Sequence, residues 1–277
     1  MITLRRAEER HHVRRGKHEV WLTFHASDLE DPLADGFGTL QNLSEDMIPP
    51  GAAVPLLSHC DSDIVTYVHE GALAHRDGNG CSGIIYAGEF ERMTPGHGAS
   101  RRETNASRTQ WAHVFQMRLG PSQADRVASH EHRRFCAAER RGLLRVIASR
   151  DGREGSLRIH DDARIYSALL DPGQHLVHEL LPSRSAWLHM VHGVGALGDV
   201  MLATGDGAGV TEVRAVSLTA LEETEILLVD LGEPFASPLL MKESNDQSTP
   251  SRFGSSTHSA SRHRRDHRSR DVAERER

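Results

Sequence analysis

Short apolar runs that end at turn-forming residues dominate this chain, and they restrict its fold more than any other feature. Residues 64–68, 83–86 and 111–117 are three such runs, and the turn sequence Arg-Asp-Gly-Asn-Gly at 76–80 separates the first two. Helical periodicity is scarce by comparison. Short strands separated by glycine-rich turns predict an antiparallel β-sandwich or β-barrel.

A second strand-rich region runs from residue 155 to residue 231, beyond a charged segment that favours an irregular or partly helical connection. We therefore predict an N-terminal domain at 1–122, a connector at 123–154 and a C-terminal domain at 155–235. In the remaining segment, 236–277, Ser, Arg, His and Asp dominate. We predict that this tail is disordered, because it cannot bury enough apolar surface to offset its ordering entropy.

Charge and cysteine content narrow the function. The net charge of -6 argues against a general nucleic-acid or membrane-surface binder, since such proteins need clustered positive charge. The basic stretch 262–270 in the tail offers a contact for an acidic partner or nucleic acid, although a solvated extension is the favoured interpretation. Three cysteines without a CxxC pair indicate neither a disulfide framework nor a zinc knuckle.

The N-terminal residues are charged and lack the apolar run of a signal peptide. No apolar run in the sequence approaches the length that a membrane-spanning helix needs. We therefore expect a cytoplasmic protein that makes no membrane contact.

Three segments carry a family resemblance: residues 65–77, residues 90–98 and residues 103–107. They closely resemble the first cupin of the pirin family, and the most similar branch contains the bacterial quercetin 2,3-dioxygenase-like proteins. Segments 177–180 and 227–231 resemble the second cupin of that family. The resemblance implies an all-β bicupin, with two antiparallel β-barrel or jelly-roll cupin domains in one chain.

In pirins a His-x-His pair and a later His-x-Glu pair hold iron or another divalent metal. The resemblance places these pairs on residues 57–59 and 101–103, so that His59 and Glu103 retain ligand positions while Leu57 and Arg101 replace the other two. Leucine has no lone pair, and a guanidinium stays protonated and can only donate. We expect the N-terminal cupin to hold no metal, or to bind a divalent metal such as iron weakly. The second cupin of the family normally has none.

Two further residues, Asp63 and His97, are candidate partners or substitute ligands. We expect Arg101 to pair with Glu103 or with Asp63 inside the barrel, because an arginine–carboxylate pair balances charge that a metal otherwise balances. The alternative is an Arg101 side chain that points to solvent. His97 lies in a Gly-His-Gly turn, from which it either turns in as a ligand or, the favoured interpretation, stays exposed.

Two functions remain open, and the sequence identifies no catalytic residue. The first is a non-catalytic binding or regulatory protein with a small-molecule ligand in the N-terminal barrel or a protein partner. The second is a metal-dependent quercetin 2,3-dioxygenase-like oxidoreductase that uses His59 and Glu103 with Asp63 or His97. The loss of two ligand positions favours the first.

Overall fold

The computed structural model describes residues 1–25, 31–54, 62–78, 80–95, 101–120 and 128–232. Strands make up most of this part of the chain. The strands of the first half are β1 (Ile2–Arg5), β2 (His11–Arg15), β3 (His18–Leu22), β4 (Leu40–Ile48), β5 (Ala53–Val54), β6 (Asp63–Glu70), β7 (Ala72–Asp77), β8 (Ser82–Tyr86), β9 (Glu89–Thr94), β10 (Arg101–Asn105), β11 (Ala112–Leu119) and β12 (Ser129–Arg134).

The second half continues the pattern after one short helix, α1 (Ala137–Arg140). Its strands are β13 (Arg145–Ser149), β14 (Leu157–Arg158), β15 (Ala163–Leu170), β16 (His175–Glu179), β17 (Ser185–His192), β18 (Val194–Leu197), β19 (Val200–Ala203), β20 (Gly207–Val210), β21 (Ala215–Ala220) and β22 (Thr224–Leu231). Two 3-10 turns lie at Ala7–Glu9 and Arg153–Gly155. Among the residues described, no helix has the length and apolar character needed to span a membrane.

The strands form two pairs of sheets, one pair for each cupin. In the N-terminal cupin a seven-stranded sheet, β12-β9-β6-β11-β4-β3-β2, packs with a four-stranded sheet, β5-β10-β7-β8. In the C-terminal cupin the corresponding sheets are β1-β20-β17-β22-β15-β13-β14 and β16-β21-β18-β19. The predicted all-β bicupin architecture is confirmed.

Two strands pair outside the residue ranges predicted for their domains, and the domain bounds themselves stay a prediction. Strand β1 pairs with β20, so Ile2–Arg5 belongs to the sheet of the second cupin although it begins the chain. Strand β12 lies within the predicted connector, yet it pairs with β9 of the first cupin. Apolar patterning locates strands but not their partners, and both pairings join segments far apart in sequence. The tail at 236–277 lies outside the described residues.

Strand β22 shows how the two cupins share one core. Alternate side chains of a strand point to opposite faces of its sheet. Leu227, Val229 and Leu231 therefore join an inter-domain core that also contains Val65, Phe115 and Trp187, whereas Ile226 and Leu228 point into the C-terminal barrel. All eight residues of β22 are buried for this reason.

The interiors of the two barrels differ in chemistry. The C-terminal barrel is filled by an apolar cluster that includes Leu188, Met190 and Leu218. In the described part of the N-terminal barrel, apolar packing is limited to a smaller cluster around Val68, Leu73 and Val114. Charged and polar side chains occupy the rest, so a functional site is expected in the first cupin.

A buried histidine, His189 on β17, gives a test of the inter-domain packing. Its side chain is fully buried near the ring of Phe115, and neither ring nitrogen has a hydrogen-bond partner among the described residues. Burial, assisted by the positive charge of Arg10, lowers the pKa of His189 to about 3. His189 therefore takes up a proton near pH 6.5 in the unfolded chain but stays neutral in the folded protein. The free energy of unfolding consequently decreases as the pH falls below about 6.5.

We expect the free energy of unfolding to lose about 2 kcal/mol through His189 between pH 8 and pH 5. The variant His189→Leu has no group to protonate at this position. The difference in unfolding free energy between the variant and the unmodified protein should therefore shift by the same amount in favour of the variant as the pH is lowered from about 8 to about 5. Urea unfolding at both pH values measures the difference. His192→Leu, at an exposed position of the same strand, is the matched control. Equal pH dependence of the two variants would contradict the prediction.

Candidate functional site

Arg101 lies at the centre of a buried ionic cluster inside the N-terminal barrel. Strand β10 pairs with β7, which places Arg101 opposite Asp77 and Glu103 opposite His75. The Nε of Arg101 donates to Glu103 Oε1 at 2.9 Å, its Nη2 donates to Glu91 Oε2, and its Nη1 lies 3.8 Å from Asp77 Oδ1. Arg101 is 5% exposed, so this network replaces its hydration.

Two neighbouring side chains complete the cluster. The second carboxylate oxygen of Glu103 accepts a hydrogen bond from Gln116 Nε2 at 2.9 Å. His75 Nε2 lies 3.4 Å from Glu91 Oε1. Four strands of two sheets thus supply this group, and each carboxylate in it contacts at least one cationic or hydrogen-bonding side chain.

The electrostatics keep a positive charge at this position. Burial opposes the charged guanidinium, but Glu103 and Glu91 outweigh it and raise the pKa of Arg101. Burial raises the pKa of Glu103, and the attraction of Arg101 offsets only part of that effect. Burial and the nearby Arg101 both lower the pKa of His75. Arg101 is therefore charged, and His75 is neutral, at physiological pH.

A cavity of about 560 Å³ lies beside the cluster, between β2, β3, β4 and β11. Its volume falls in the range of small-molecule sites. Apolar side chains, including Val20, Leu22 and Phe24, form one part of the wall. His18 and Asp46, whose Nε2 and Oδ1 lie 3.0 Å apart, form a polar part. Gln116 lines the cavity as well, so it connects the cavity to Glu103.

The candidate residues identified from sequence have different locations. Arg101 and Glu103 lie together inside the barrel, as the first pairing hypothesis requires. Asp63 accepts hydrogen bonds from Thr94 Oγ1 at 2.6 Å and from the backbone N–H of His160 at 2.6 Å. These contacts give Asp63 a role at the boundary with the second cupin. Leu57, His59 and His97 lie outside the described residues.

Four members of the cluster were not identified from sequence: His75, Asp77, Glu91 and Gln116. Glu91 lies within a segment that carries the family resemblance, but its spacing gives no sign that its carboxylate is 1% exposed and paired with Arg101. The sequence of β7 does indicate a polar interior, because Leu73, His75 and Asp77 alternate along the strand and therefore occupy one face of it. An apolar residue followed by two polar ones on that face indicates a polar barrel interior.

The family resemblance implies a divalent metal next to Glu103, and the described residues do not fit one. Both oxygens of Glu103 already accept hydrogen bonds, Oε1 from Arg101 and Oε2 from Gln116. A dication close to the guanidinium would meet a permanent positive charge that has no lone pair to offer. Among the described residues, Arg101 and Gln116 therefore occupy the hydrogen-bonding positions around the Glu103 carboxylate.

Comparison with known proteins covers both cupins. The family model described as "Pirin" matches residues 5–119, and the model "Quercetinase C-terminal cupin domain" matches residues 146–231. A relative named quercetin 2,3-dioxygenase, from Escherichia coli (strain K12), is 34% identical over 231 residues, which are 83% of this chain and 99% of the relative. A pirin-like protein from Caulobacter vibrioides is 31% identical and covers 75% of this chain and 89% of its own length.

Solved structures agree with these relatives. The crystal structure of YhhW from Escherichia coli superposes with a TM-score of 0.79 at 33% identity and covers 84% of this chain and 98% of that one. The structure of bacterial pirin YhhW in complex with nickel(II) gives a TM-score of 0.78 at the same identity, covering 84% and 100%. With both cupins matched and nearly the full length of the relatives covered, the chain belongs to the pirin family.

Proposed function

We propose that this chain is a small-molecule-binding pirin that does not carry out metal-dependent catalysis at the family's metal position. The observation that carries the proposal is the ion pair of Arg101 with Glu91 and Glu103. Dioxygenase chemistry in cupins depends on a metal with open positions for substrate and dioxygen. A buried guanidinium that donates to the remaining carboxylate takes the place of that metal.

The cavity beside the cluster supports the binding part of the proposal. Its apolar wall suits a flat aromatic ring, and the His18–Asp46 pair and Gln116 suit hydroxyl groups on such a ring. Polyhydroxylated aromatic compounds combine both features, and several relatives carry the name quercetin 2,3-dioxygenase. We therefore take a flavonol-like compound as the ligand class, with quercetin as the probe.

A second candidate function is a metal-dependent quercetin 2,3-dioxygenase-like activity. The names of the relatives and the nickel(II) complex of YhhW favour it. It requires a metal held by His59 and Glu103 with at least one substitute ligand, and it requires Arg101 to leave Glu103. That rearrangement would leave the Arg101 charge buried or expose it through the barrel wall, and either outcome costs free energy.

The experiment measures binding and turnover of quercetin by the full chain. We expect saturable quenching of tryptophan fluorescence by quercetin, with no dioxygen consumption after the protein is incubated with Ni²⁺ or Fe²⁺. Val20→Trp, which fills the cavity, should weaken binding about tenfold or more, a loss of at least about 1.4 kcal/mol. Val177→Trp, the same change at an exposed position of the second cupin, should leave binding unchanged. Metal-dependent quercetin loss with dioxygen uptake would establish the second candidate instead.

A further inference from the structure

A second group of metal-ligating side chains lies where the β7–β8 hairpin meets β12. The ligand atoms of Asp77, Cys81 and His130 all lie within 4.8 Å of one another. The Cys81 Sγ and the His130 Nε2 are 3.5 Å apart. Tetrahedral zinc with ordinary bond lengths to sulfur and nitrogen separates those two atoms by roughly 3.5 Å. The pair is therefore already spaced for a shared ion.

The backbone holds these residues in place independently of any ion. The N–H of Asp77 donates to the carbonyl of Cys81 at 2.8 Å, and the N–H of Gly80 donates to the carbonyl of Asp77 at 3.0 Å. On the other sheet, β12 pairs with β9 and places His130 opposite Met93. Two sheets thus bring the three residues together, and binding an ion would require little backbone rearrangement.

A buried histidine provides an independent sign of a missing ligand. His75 is 6% exposed, and its Nδ1 has no hydrogen-bond partner among the described residues. That nitrogen faces Asp77 Oδ1 at 3.9 Å, an oxygen that also lacks a hydrogen-bond partner there. The ring of His75 lies 5.9 Å from that of His130. Buried polar atoms without partners are rare and costly, and a cation bound to both would satisfy both once the two side chains move slightly closer.

The surroundings of His75 are those of a supported metal ligand. Its Nε2 lies 3.4 Å from Glu91 Oε1, and the nearby carboxylate favours the tautomer with the proton on Nε2 and a lone pair on Nδ1. Gly83 lies opposite His75 on β8, and a Cβ there would come within 2.6 Å of the His75 Nε2. Glycine at this position therefore makes room for the imidazole ring.

The local charge also favours a cation. Three carboxylates, those of Asp77, Glu91 and Glu103, form ion pairs with the single guanidinium of Arg101 among the described residues. Their total negative charge is therefore larger than the positive charge that Arg101 supplies. Arg101 donates to Glu91 and Glu103 at hydrogen-bond distance, but its Nη1 is 3.8 Å from Asp77. Asp77 therefore keeps an oxygen that is available to a second cation.

We propose that Asp77, Cys81 and His130 form a zinc-type metal site with His75 as the fourth ligand. A sulfur, nitrogen and oxygen donor set in tetrahedral arrangement suits Zn²⁺ and its spectroscopic substitute Co²⁺. The site shares Asp77 and His75 with the Arg101 cluster, but Arg101 does not donate a hydrogen bond to Asp77. Its Nη1 is 3.8 Å from Asp77 Oδ1, whereas its Nε donates to Glu103 at 2.9 Å. The proposed metal site does not depend on the proposed ligand-binding function. Cobalt titration tests the metal site, whereas quercetin binding tests the ligand-binding function.

The test is a titration of the metal-free full chain with Co²⁺, followed by absorption spectroscopy. We expect one equivalent to produce the intense visible bands of tetrahedral cobalt together with a near-ultraviolet thiolate-to-cobalt charge-transfer band, and Zn²⁺ to displace both. Cys81→Ser should abolish the charge-transfer band. Cys136→Ser, at an exposed cysteine immediately before α1, should retain it.

Histidine variants test the remaining ligands. His75→Ala and His130→Ala should each weaken Co²⁺ binding at least about tenfold, the size of effect that even a supporting residue of a metal site has. His132→Ala, at an exposed position of the same strand as His130, should bind as the unmodified chain does. A charge-transfer band that survives in Cys81→Ser, no such band at all, or equal weakening by His132→Ala would overturn the proposal.

Discussion

Replacing Arg101 with methionine is expected to destabilise the protein by about 3–5 kcal/mol at pH 7.5, the usual cost of removing one partner from a buried ion pair. Methionine fills a similar volume but leaves Glu91 and Glu103 facing each other without a cation. Both carboxylates lose the donor that replaced water, and their charges repel. Because the variant can reduce this repulsion by binding a proton, the destabilisation should shrink as the pH is lowered towards 5.

The measurement is urea unfolding in the presence of a chelator, so that no bound metal contributes to the stability. Arg102→Met is the control, since Arg102 is the next residue of β10 and is exposed. Its effect should stay within about 0.5 kcal/mol. Adding Glu91→Gln to Arg101→Met should recover part of the loss, because one of the two unpaired charges is removed. A loss below about 1 kcal/mol would show that the Arg101 guanidinium is not needed to balance the cluster.

The sequence could predict the strands, and it offered Glu103 as one of two internal partners for Arg101, because both inferences depend on local rules. Residues two apart on a strand share a face, and an arginine on the same face as a buried carboxylate is expected to bind it. Another partner of Arg101, Glu91, lies on a strand of the other sheet. Its approach to Arg101 depends on how two sheets pack, and no spacing within the sequence contains that information.

Asp63 and Cys81 also show that sequence spacing does not contain tertiary contacts. Asp63 was expected as an alternative partner of Arg101 and does not lie in its cluster, whereas Cys81 has a neighbour that the sequence did not indicate. The resemblance made Asp63 a candidate partner of Arg101, yet its position at the beginning of β6 brings it to His160 of the second cupin. Cys81 has no CxxC partner in the sequence, so no motif indicates a metal ligand there. Its neighbour His130 is 49 residues away in sequence and reaches it through the pairing of β12 with β9. Residues that come together only through tertiary packing form no short motif that could be recognised in the sequence.

Glu225 holds together a second buried network, and this one joins the two cupins. Its Oε1 accepts hydrogen bonds from Tyr67 at 2.6 Å and from Arg140 at 2.7 Å, and its Oε2 lies 3.3 Å from His69 Nδ1. Tyr67 and His69 come from β6, Arg140 from α1 and Glu225 from β22. Burial alone would raise the pKa of Glu225, but the contacts with His69 and Arg140 outweigh it and lower that pKa. The carboxylate is therefore ionised in the folded protein at neutral pH.

Glu225→Gln should therefore destabilise the protein by about 3–5 kcal/mol at pH 7, since it keeps the shape of the side chain and leaves the Arg140 charge buried without a counterion. A carboxyl group whose pKa is lowered on folding stabilises the protein above its unfolded pKa and loses that contribution as the pH falls. The difference between the variant and the unmodified protein should consequently narrow in acid, as Glu225 itself takes up a proton. Urea unfolding at pH 7 and pH 4 measures both values, with Glu223→Gln at an exposed position as the control. A difference that is small at pH 7, or that grows in acid, would mean that the Arg140 charge is balanced by groups other than Glu225.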